Sequence, residues 1–565
     1  MLFLFVMLST TIKSRKIPSL YTSENSTSKR GSIISADGFH LATTKKLYKA
    51  SVDTRYIDPQ KEDLFVQLFS IYSGIDSKKI KIKIRKRKGY VVLSYSISEK
   101  RAQYLKRLAY ELRRYKVFIE RINPNTGSRT LHGLNILESG ETRVYPYDDL
   151  GTPIIGYPKK IEENGYTLVK GVKGLEKKFN AELSARDSSF SRGKRDVNNY
   201  IILNKESFTK PNQDGLDVKL TIPVTLQIKI EKMLSKMKKE IDAKEIICVI
   251  MDIGSANILT MASSNRYLPK DIKKSDYPSL NSAMIEYSFE PGSVIKPVAF
   301  ALLLDKGYIN PYDLVNGHNG RFKLGKKIIR DEHRFDWLSA ENVIVHSSNI
   351  GILQLTKKLS AVEFHQGLKE FGFSRKSTYD LSYERIGSIP SVKLFENEIY
   401  KATLSYGYGM HANLMQLIRA YTVFNNNGRI MYPRIVDSFI DSNRKETKIP
   451  QREQIQVIKS STAQKMNKIL VKTVNEGTGQ KTKIDGLIIG GKTGTAHIVE
   501  KGDYVNKYNT SFIGFANDKK QKYTIGIVVI QPKSSQFASK TAVPTFKKAV
   551  EILVEDGYLQ PNIIK

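Results

Sequence analysis

The order of apolar segments in the C-terminal part of the chain is the strongest constraint on its fold. Residues 245–263 form two apolar runs joined by a Gly-Ser-Ala-Asn turn, which predicts a β-hairpin. Helical periodicity dominates roughly residues 293–480, three strand-like runs follow after residue 486, and VPTFKKAVEILVED predicts a closing helix. This order indicates one antiparallel sheet with helices packed against it, which is the α+β class. The two ends of the helical insert then meet at the sheet, so motifs that are distant in sequence can be neighbours.

The N-terminal part of the chain differs in composition and predicts a second domain. At 565 residues the protein is too long for one hydrophobic core. Residues 30–205 are rich in Lys, Arg and Tyr, and a polar stretch from Ser188 to Gly215 marks the boundary. We therefore expect one domain over residues 30–205 and another over residues 216–565.

Two segments of the N-terminal domain have clear periodicity. In KKIKIKIRKRKGYVVLSYSIS, isoleucines at 80, 82 and 84 alternate with lysines at the start of the segment, which predicts a strand with one solvated basic face. The segment SEKRAQYLKRLAYELRR predicts an amphipathic helix, because its apolar residues recur at helical spacing. Its apolar stripe comprises Ala102, Leu105, Leu108, Ala109 and Leu112.

The first residues, MLFLFVMLSTTI, are apolar. A membrane-spanning helix needs roughly twenty such residues, so we expect residues 1–12 to be one part of a membrane anchor. A clipped or atypical signal peptide is the alternative. Residues 13–29 are mostly polar and predict a flexible linker between this anchor and the folded protein.

The net charge of +35 allows a nucleic acid, an anionic membrane or an anionic polymer as a partner. The basic residues are spread along the chain, and neither a zinc-finger spacing nor an RNA-binding aromatic signature accompanies them, so we predict no nucleic-acid partner. The only cysteine, Cys248, lies in an apolar run and is expected to be a buried hydrophobic residue. The histidines are scattered, and we predict no metal site and no cofactor.

The segment FEPGSVIKPV raises the possibility of nucleophilic catalysis. A Pro291-Gly292 corner delivers Ser293 to an apolar run, and Lys296 follows at a spacing that shares one face of a helix. A lysine can remove the proton of a serine if burial or a second cation lowers its pKa, and Lys492 is a candidate for that cation. A helix cap is the alternative role for Ser293. Pro297 lacks the N–H of a regular helix, and a local rule broken beside a candidate site weakly favours function.

Two further motifs strengthen the catalytic interpretation. In VIVHSSNIGILQL, Ser347 and Asn349 flank Ser348 within an apolar segment, although a cluster that caps a helix would look the same. In IGGKTGTA, Lys492 brings a charge to a strand, and Gly494 leaves room for a ligand along the strand edge. A glycine-weakened edge strand is the alternative for this third motif.

Taken together, SVIK, SSN and KTGT resemble the three signature motifs of penicillin-binding proteins and serine β-lactamases. RGSIISADGFHLA, RVYPYDDLGTPIIGY, GVKGLEKKFN and SYGYG resemble further motifs of class B penicillin-binding proteins, so the resemblance spans nearly the whole chain. It implies a transpeptidase domain with a five-stranded antiparallel sheet flanked by helices, preceded by an elongated N-terminal pedestal domain. The sequence departs from the usual pattern at Ser35 and Ala36, where an acidic-basic pair is common, and in the segment MHANLMQL.

The resemblance also implies a reaction, the D-Ala-D-Ala transpeptidation that cross-links peptidoglycan. Ser293 would attack the peptide carbonyl and Lys296 would act as general base. Ser347, with Lys492, would relay a proton to the leaving amine, and Asn349 would orient Lys296 and bind the substrate amide. β-Lactams would acylate the same serine.

The third motif would bind the end of the substrate. Thr493 and Thr495, together with Lys492, would hold the terminal carboxylate, and Gly494 would leave room for the peptide. The oxyanion would lie between the backbone N–H groups of Ser293 and Thr495.

The details of these motifs are more similar to division-specific, FtsI-type enzymes than to elongation-type relatives. The resemblance implies a single-pass protein of the bacterial inner membrane with its catalytic domain in the periplasm. Implied partners are stem peptides, lipid-linked nascent glycan, β-lactams, an FtsW-type glycosyltransferase and divisome proteins. The alternatives are an elongation-type transpeptidase, a β-lactamase or β-lactam sensor, and a catalytically idle scaffold.

Overall fold

The protein is described by a computed structural model over residues 20–122, 129–163, 166–185, 189–194, 201–210, 212–500 and 502–562. The strands of the N-terminal part are β1 (Tyr21–Ser26), β2 (Ile33–Ile34), β3 (His40–Asp53), β4 (Tyr90–Ser98), β5 (Arg121–Ile122), β6 (Arg129–Thr130), β7 (Asn135–Val144), β8 (Pro158–Glu163), β9 (Tyr166–Gly171), β10 (Ser189–Lys194) and β11 (Phe208–Lys210). Its helices are α1 (Glu62–Ser73), α2 (Ser77–Lys86), α3 (Glu99–Arg114), α4 (Thr152–Ile155), α5 (Gly174–Lys178) and α6 (Asn180–Leu183).

The C-terminal part contains a longer series of elements. Its strands are β12 (Asp217–Leu220), β13 (Ala243–Asp252), β14 (Ile258–Ser263), β15 (Leu314–Asn316), β16 (Arg321–Leu324), β17 (Lys327–Arg330), β18 (Trp337–Ser339), β19 (Arg429–Ile430), β20 (Val436–Ile440), β21 (Glu446–Lys448), β22 (Ile455–Gln456), β23 (Ile488–Glu500), β24 (Asp503–Asn517) and β25 (Lys522–Pro532). Its helices are α7 (Val224–Ile241), α8 (Ala283–Glu286), α9 (Lys296–Asp305), α10 (Ala340–Val345), α11 (Asn349–Thr356), α12 (Ala361–Glu370), α13 (Val392–Glu396), α14 (Glu398–Ser405), α15 (Leu414–Asn425), α16 (Ser460–Glu476) and α17 (Ala542–Glu555).

A five-stranded antiparallel sheet forms the centre of the C-terminal part, in the order β14-β13-β25-β24-β23, which confirms the predicted fold class. Alternate residues of β13 point to opposite faces of the sheet. Ile246, Cys248 and Ile250 pack against α7 and α17, whereas Ile247 and Val249 pack against the helical insert between β14 and β23. Because both faces are covered, β13 reads as a continuous apolar run. The edge strand β23 carries the KTGT motif.

A second sheet joins the two parts of the chain. Its strands lie in the order β21-β20-β12-β2-β3-β7-β9-β8, and β4 also pairs with β3. Strand β2 of the N-terminal part is not an edge strand of this sheet, because β12 of the C-terminal part pairs with it in parallel. Helices α1, α2 and α3 cover β3 and β4 with their apolar faces, and the predicted stripe on α3 is buried as expected.

The alternating segment KKIKIKIRK forms helix α2, so the predicted strand is wrong. The side chain of Asp76 caps this helix by accepting the N–H of Lys79, and basic residues in its last turn suit the helix dipole. Ile80 and Ile84 are one helical turn apart and buried, while Ile82 points away from the core and is 66% exposed. An alternation with period two contains i, i+4 pairs, so a short run of this kind fits a helix as well as a strand. The neighbouring run from Tyr90 forms strand β4, as predicted.

The predicted linker is also structured in part. Strand β1, within residues 13–29, pairs antiparallel with β10 from the polar stretch that was predicted to mark a domain boundary. Backbone hydrogen bonding between two polar strands needs no apolar residues, and for this reason composition alone did not reveal it. The predicted anchor at residues 1–12 lies outside the described residues. Among the helices that the structure does describe, none is long and apolar enough to cross a bilayer.

Candidate active site

The Pro-Gly-Ser corner is a turn of 3₁₀ helix, Gly292–Ile295, that runs directly into α9. Gly292 has a φ of +62° and its N–H donates to the carbonyl of Gly407 at 3.1 Å, so the SYGYG motif fixes the corner from behind. Helix α9 begins at Lys296, and Pro297 therefore lies in the first turn, where a missing N–H has no cost. The proline is thus compatible with a regular helix start, and it breaks no local rule. Ser293 is partly exposed at this corner.

Lys296 is completely buried beneath the corner. Its ammonium group donates to the carbonyl of Ser347 at 2.5 Å and to the hydroxyl of Ser347 at 3.2 Å. Burial lowers the pKa of Lys296 to about 7, although the nearby carboxylates of Asp331 and Glu332 favour the charged form. A large fraction of this lysine is therefore a neutral amine near pH 7, the form that can accept a proton.

Ser347 occupies a strained position between α10 and α11. Its φ is +60°, in the left-handed region that residues with a side chain rarely adopt. This conformation directs both its carbonyl and its hydroxyl to Lys296. Strain of this kind persists where the surrounding structure enforces it, and it is concentrated at functional sites.

Ser348 and Asp331 provide that enforcement. Ser348 is the N-cap of α11, and its hydroxyl accepts the N–H of Gly351 at 2.8 Å and donates to Asp331. Asp331 also accepts the N–H of Asn349 at 2.6 Å. The side-chain amide of Asn349 donates to the carbonyl of Arg330 at 3.0 Å. Lys296 is therefore oriented by the two hydrogen bonds that it donates to Ser347, and not by Asn349 as the resemblance implied. The middle residue of the SSN motif, Ser348, caps a helix, and its first residue, Ser347, contacts Lys296.

Lys492 is the second completely buried lysine of the site. Its ammonium group donates to the carbonyl of Thr493 at 3.2 Å and to the Thr493 hydroxyl at 3.3 Å, and Thr478 shares a hydrogen bond with the same hydroxyl at 2.7 Å. Burial, and secondly the charge of Lys296, hold the pKa of Lys492 well below its usual range. The expected effect of Lys492 on Lys296 is not found, because burial lowers the pKa of Lys296 and the charge of Lys296 acts on Lys492 instead.

Strand β23 passes directly beside the Pro-Gly-Ser corner. A Cβ added to Gly292 would lie 2.8 Å from the carbonyl oxygen of Thr495. One added to Gly494 would lie 2.4 Å from the hydroxyl of Ser511 and 3.1 Å from the carbonyl oxygen of Pro291. Two segments that are about 200 residues apart in the sequence thus approach too closely for side chains, and this explains the glycine in each motif.

Three acidic residues of the site were not identified from the sequence. Asp331 and Glu332 follow β17 in a loop that carries no recognisable motif. Glu290 stands in the EPGS segment itself, and its carboxylate accepts the N–H of Gly409 at 2.7 Å and the hydroxyl of Tyr504 at 3.2 Å. The only sequence signal for Glu290 is that it directly precedes the Pro291-Gly292 corner. The other two depend on how the loop after β17 folds over α11.

Comparison with known proteins agrees with this geometry. The sequence matches the family described as "Penicillin binding protein transpeptidase domain" over residues 246–551, more than half of the chain. The chain belongs to the penicillin-binding protein transpeptidase family. Residues 25–220 also match the "Penicillin-binding Protein dimerisation domain".

Individual members of this family are similar over much of their length. "Probable peptidoglycan D,D-transpeptidase PenA" of Neisseria gonorrhoeae is 28% identical over 417 residues, which cover 73% of this chain and 68% of that protein. "Peptidoglycan D,D-transpeptidase FtsI" of Buchnera aphidicola subsp. Baizongia pistaciae is 26% identical over 551 residues, 94% of this chain and 88% of that protein.

Solved structures share the fold across both parts of the chain. Penicillin Binding Protein 2X from Streptococcus thermophilus aligns with a TM-score of 0.76 at 18% identity, covering 95% of this chain and 82% of that chain. A peptidoglycan synthetase from Bifidobacterium adolescentis aligns with a TM-score of 0.72 at 19% identity and covers 97% and 98% of the two chains. The two-part α+β architecture is therefore that of penicillin-binding proteins.

Proposed function

We propose that this penicillin-binding protein is a serine peptidoglycan D,D-transpeptidase that cross-links stem peptides through an acyl-enzyme on Ser293. The observation that carries the proposal is the burial of Lys296 next to this serine, with a pKa of about 7 and both hydrogen bonds directed to Ser347. A lysine held in this state can act as a general base at neutral pH, which a solvated lysine cannot.

In the first half-reaction, Ser293 Oγ attacks the carbonyl carbon of the penultimate D-Ala while Lys296 accepts the hydroxyl proton. Negative charge develops on the carbonyl oxygen, and the backbone N–H groups of Ser293 and Thr495 are the donors for it. The peptide C–N bond then breaks, and the leaving D-Ala amine receives a proton through Ser347, which contacts Lys296. The net change is one ester formed, one amide broken and one free D-Ala released.

The terminal carboxylate of the substrate has a cationic partner on β23. Lys492 lies behind Thr493, and the hydroxyls of Thr493 and Thr495 are placed on the same strand. Entry of a carboxylate would raise the pKa of Lys492 and favour its ammonium form. Gly494 would allow the peptide backbone to lie against the strand, and Asn349 would donate to a substrate amide from the opposite side of the cleft.

In the second half-reaction, an amine from another stem peptide attacks the ester carbonyl and regenerates Ser293. Covalent catalysis of this kind replaces one difficult step by two easier ones. A β-lactam ring would acylate the same serine, but its ring-opened product stays attached and blocks the acceptor. The protein would therefore be titrated by penicillins.

We propose that the protein acts in septal wall synthesis during division, and its similarity to relatives named FtsI supports this role. We further propose a single-pass anchor in the inner membrane that includes residues 1–12, a catalytic domain in the periplasm, and lipid-linked nascent glycan as substrate. An FtsW-type glycosyltransferase and divisome proteins would be its partners. The pedestal would cover residues 30–205 and the transpeptidase domain residues 216–565. An elongation-type role is the alternative.

Labelling with fluorescent penicillin tests the proposal. The wild type should bind one penicillin label per protein molecule. Ser288→Ala, a matched change five residues upstream, should bind the same amount, and Ser293→Ala should bind none. Mass spectrometry should place the adduct on the peptide that contains Ser293. Absence of label in the wild type would favour a scaffold, and fast, continuous nitrocefin hydrolysis would favour a β-lactamase. A fluorescent fusion that stays on the side wall rather than at midcell would favour the elongation role.

A further inference from the structure

Helix α3 of the N-terminal part has a basic face that none of the roles assigned above uses. Its sequence, EKRAQYLKRLAYELRR, contains six basic and two acidic residues. The apolar stripe of the helix is buried in the core that it shares with α1 and β4. Lys100, Arg107 and Arg114 recur at intervals of seven residues, which is close to two helical turns, so they form a row on the side away from that stripe. All three residues are exposed.

The positive charge of this row is only partly neutralised within the protein. Arg114 pairs with Glu111 of the same helix at 3.3 Å. Glu99, the other carboxylate of the helix, pairs with Lys29 at 3.8 Å. Neither Lys100 nor Arg107 forms an ion pair with any residue that the structure describes. The row therefore favours an anionic partner from outside the chain.

Tyrosine side chains are interspersed with these cations. Tyr110 lies between Arg107 and Arg114 on the same face and is 67% exposed, and Tyr104 on its flank is 42% exposed. A tyrosine ring is amphipathic, and tyrosine is enriched where a bilayer meets water. A soluble polyanion would use the cations alone. The combination of cations with exposed rings therefore favours the surface of an anionic bilayer.

The chain enters the folded part of the protein next to this helix. Lys29 reaches Glu99 in the first turn of α3, and the hydroxyl of Thr27 donates to Glu138 on β7, a strand that α3 packs against. Strand β1 precedes these residues, and residues 13–20 separate it from the anchor proposed at residues 1–12. An extended chain spans at most about 3.6 Å per residue, so β1 begins within about 30 Å of the bilayer. This step rests on the anchor in the proposed function.

We propose that the exposed face of α3 binds the phosphate groups of anionic lipids at the membrane surface. This face consists of Lys100, Gln103, Arg107, Tyr110 and Arg114. The cations would lie near phosphodiester oxygens, and the Tyr110 ring would enter the headgroup layer. The attraction of Lys and Arg to an anionic surface is screened by salt, so the contact is reversible. Together with the anchor, it would limit the orientations of the transpeptidase domain above the bilayer.

Cosedimentation of the full chain with lipid vesicles tests the assignment. Pure phosphatidylcholine vesicles report the insertion of residues 1–12, which needs no charge, whereas vesicles with about 30% phosphatidylglycerol also report the basic face. We expect the wild type to partition at least about tenfold more strongly onto the anionic vesicles at about 0.1 M NaCl. This preference should disappear at about 0.5 M NaCl.

Substitutions on α3 identify the residues responsible. The triple variant Lys100→Gln, Arg107→Gln and Arg114→Gln should reduce the preference for anionic vesicles at least about fivefold. Tyr110→Ser changes no charge and should reduce partition onto the anionic vesicles severalfold, because it removes the ring from the headgroup layer.

A second triple variant removes the same charge from another helix. Lys232→Gln, Lys236→Gln and Lys239→Gln lie on the exposed side of α7 in the transpeptidase domain, and this variant should keep the wild-type preference. Both triple variants should be acylated by benzylpenicillin at the wild-type rate, which shows that they are folded.

Three results would overturn the inference. These are equal partition of the wild type onto the two kinds of vesicle, equal losses in the α3 and α7 variants, and complete release from anionic vesicles by polyglutamate at equal charge concentration. The last of these would assign the face to an anionic polymer. Failure of benzylpenicillin to acylate the wild type would instead overturn the proposed transpeptidase, and the comparison of vesicles would be unaffected.

Discussion

Lys296 and Lys492 are both completely buried, and the charge of the first lowers the pKa of the second. Burying two interacting ammonium groups costs free energy, so at neutral pH the pair carries less than two positive charges in the free protein. The two lysines have different positions, and we therefore assign them different roles. In the proposed mechanism, Lys296 would act in its neutral form, whereas Lys492, which contacts Thr493, would gain a proton when a substrate carboxylate arrives.

The pH dependence of acylation follows from the pKa of Lys296, which is about 7. The neutral amine is the reactive form, so the benzylpenicillin acylation rate should rise tenfold per pH unit well below pH 7 and level off above it. Stopped-flow measurement from pH 5.5 to pH 9 tests this. A flat profile over that range would contradict the role of Lys296 as the base.

Lys296→Met should abolish acylation and yet stabilise the fold. The unfolded lysine has its ordinary pKa of 10.5, whereas the folded pKa is about 7, so between these values the unfolded chain binds more protons. The stability of the wild type therefore falls as the pH drops from 10.5 towards 7. Methionine removes this cost, and the free energy of unfolding at pH 7 should rise by at least about 1 kcal/mol.

Thermal melts at pH 7 and pH 10 check this result. The advantage of the methionine variant should shrink at pH 10, where the lysine is neutral in the folded protein and only partly charged in the unfolded chain. A conservative Lys296→Arg change is the control, because arginine keeps its charge and should melt below the wild type. A lower melting temperature for Lys296→Met at pH 7 would show that its hydrogen bonds to Ser347 outweigh its desolvation.

Asp331→Asn should slow acylation through the SSN motif. Asp331 accepts from Asn349 and Ile350 backbone N–H groups and from the Ser348 hydroxyl, and so it holds the start of α11. Its loss should cost about 1 kcal/mol of stability and reduce the benzylpenicillin acylation rate about tenfold or more. Ser360→Ala removes the N-cap of α12 away from the site and should cost similar stability with an unchanged rate. Equal rates for Asp331→Asn and the wild type would limit Asp331 to a structural role.

The sequence predicted the central five-stranded sheet better than it predicted the N-terminal fold. The segment with alternate isoleucines and lysines has no strong preference between strand and helix, and the cap at Asp76 and the core around α1 decide for α2. Strand β1 depends on pairing with β10, which is a long-range contact. In contrast, each strand of the central sheet is buried on one or both faces, so its apolar pattern is strong enough to read directly.

Within the candidate site, the residues proposed to react could be singled out because their types and spacing express their chemistry. Ser293 and Lys296 are adjacent on one turn, and the buried state of Lys492 follows from a charged residue in an apolar strand. Asp331 was not predictable, since two of its three hydrogen bonds described above come from backbone N–H groups, which leave no trace in side-chain composition. The positive φ of Ser347 was also hidden, because nothing in its residue type indicates a left-handed conformation.

Gly407→Ala should damage the nucleophile corner more than Gly409→Ala, although both glycines belong to SYGYG and have positive φ values of +87° and +79°. A Cβ at Gly407 would lie 2.1 Å from the carbonyl oxygen of Gly292, a backbone atom that cannot yield without moving Ser293. At Gly409 the nearest atom is a Leu404 side-chain carbon at 3.9 Å. Gly409→Ala therefore adds only the conformational cost of about 1 kcal/mol, whereas Gly407→Ala adds a steric clash.

The two effects separate in a paired measurement of stability and acylation. Both variants should melt below the wild type, but only Gly407→Ala should lose most of its benzylpenicillin acylation rate, by about a hundredfold, since small displacements of a nucleophile are costly. Equal acylation by the two variants would mean that the corner tolerates movement of Gly292. In that case the hydrogen bond from Gly292 to Gly407 would not be what places Ser293, and its position would depend on the approach of β23 at Gly494 and Thr495 alone.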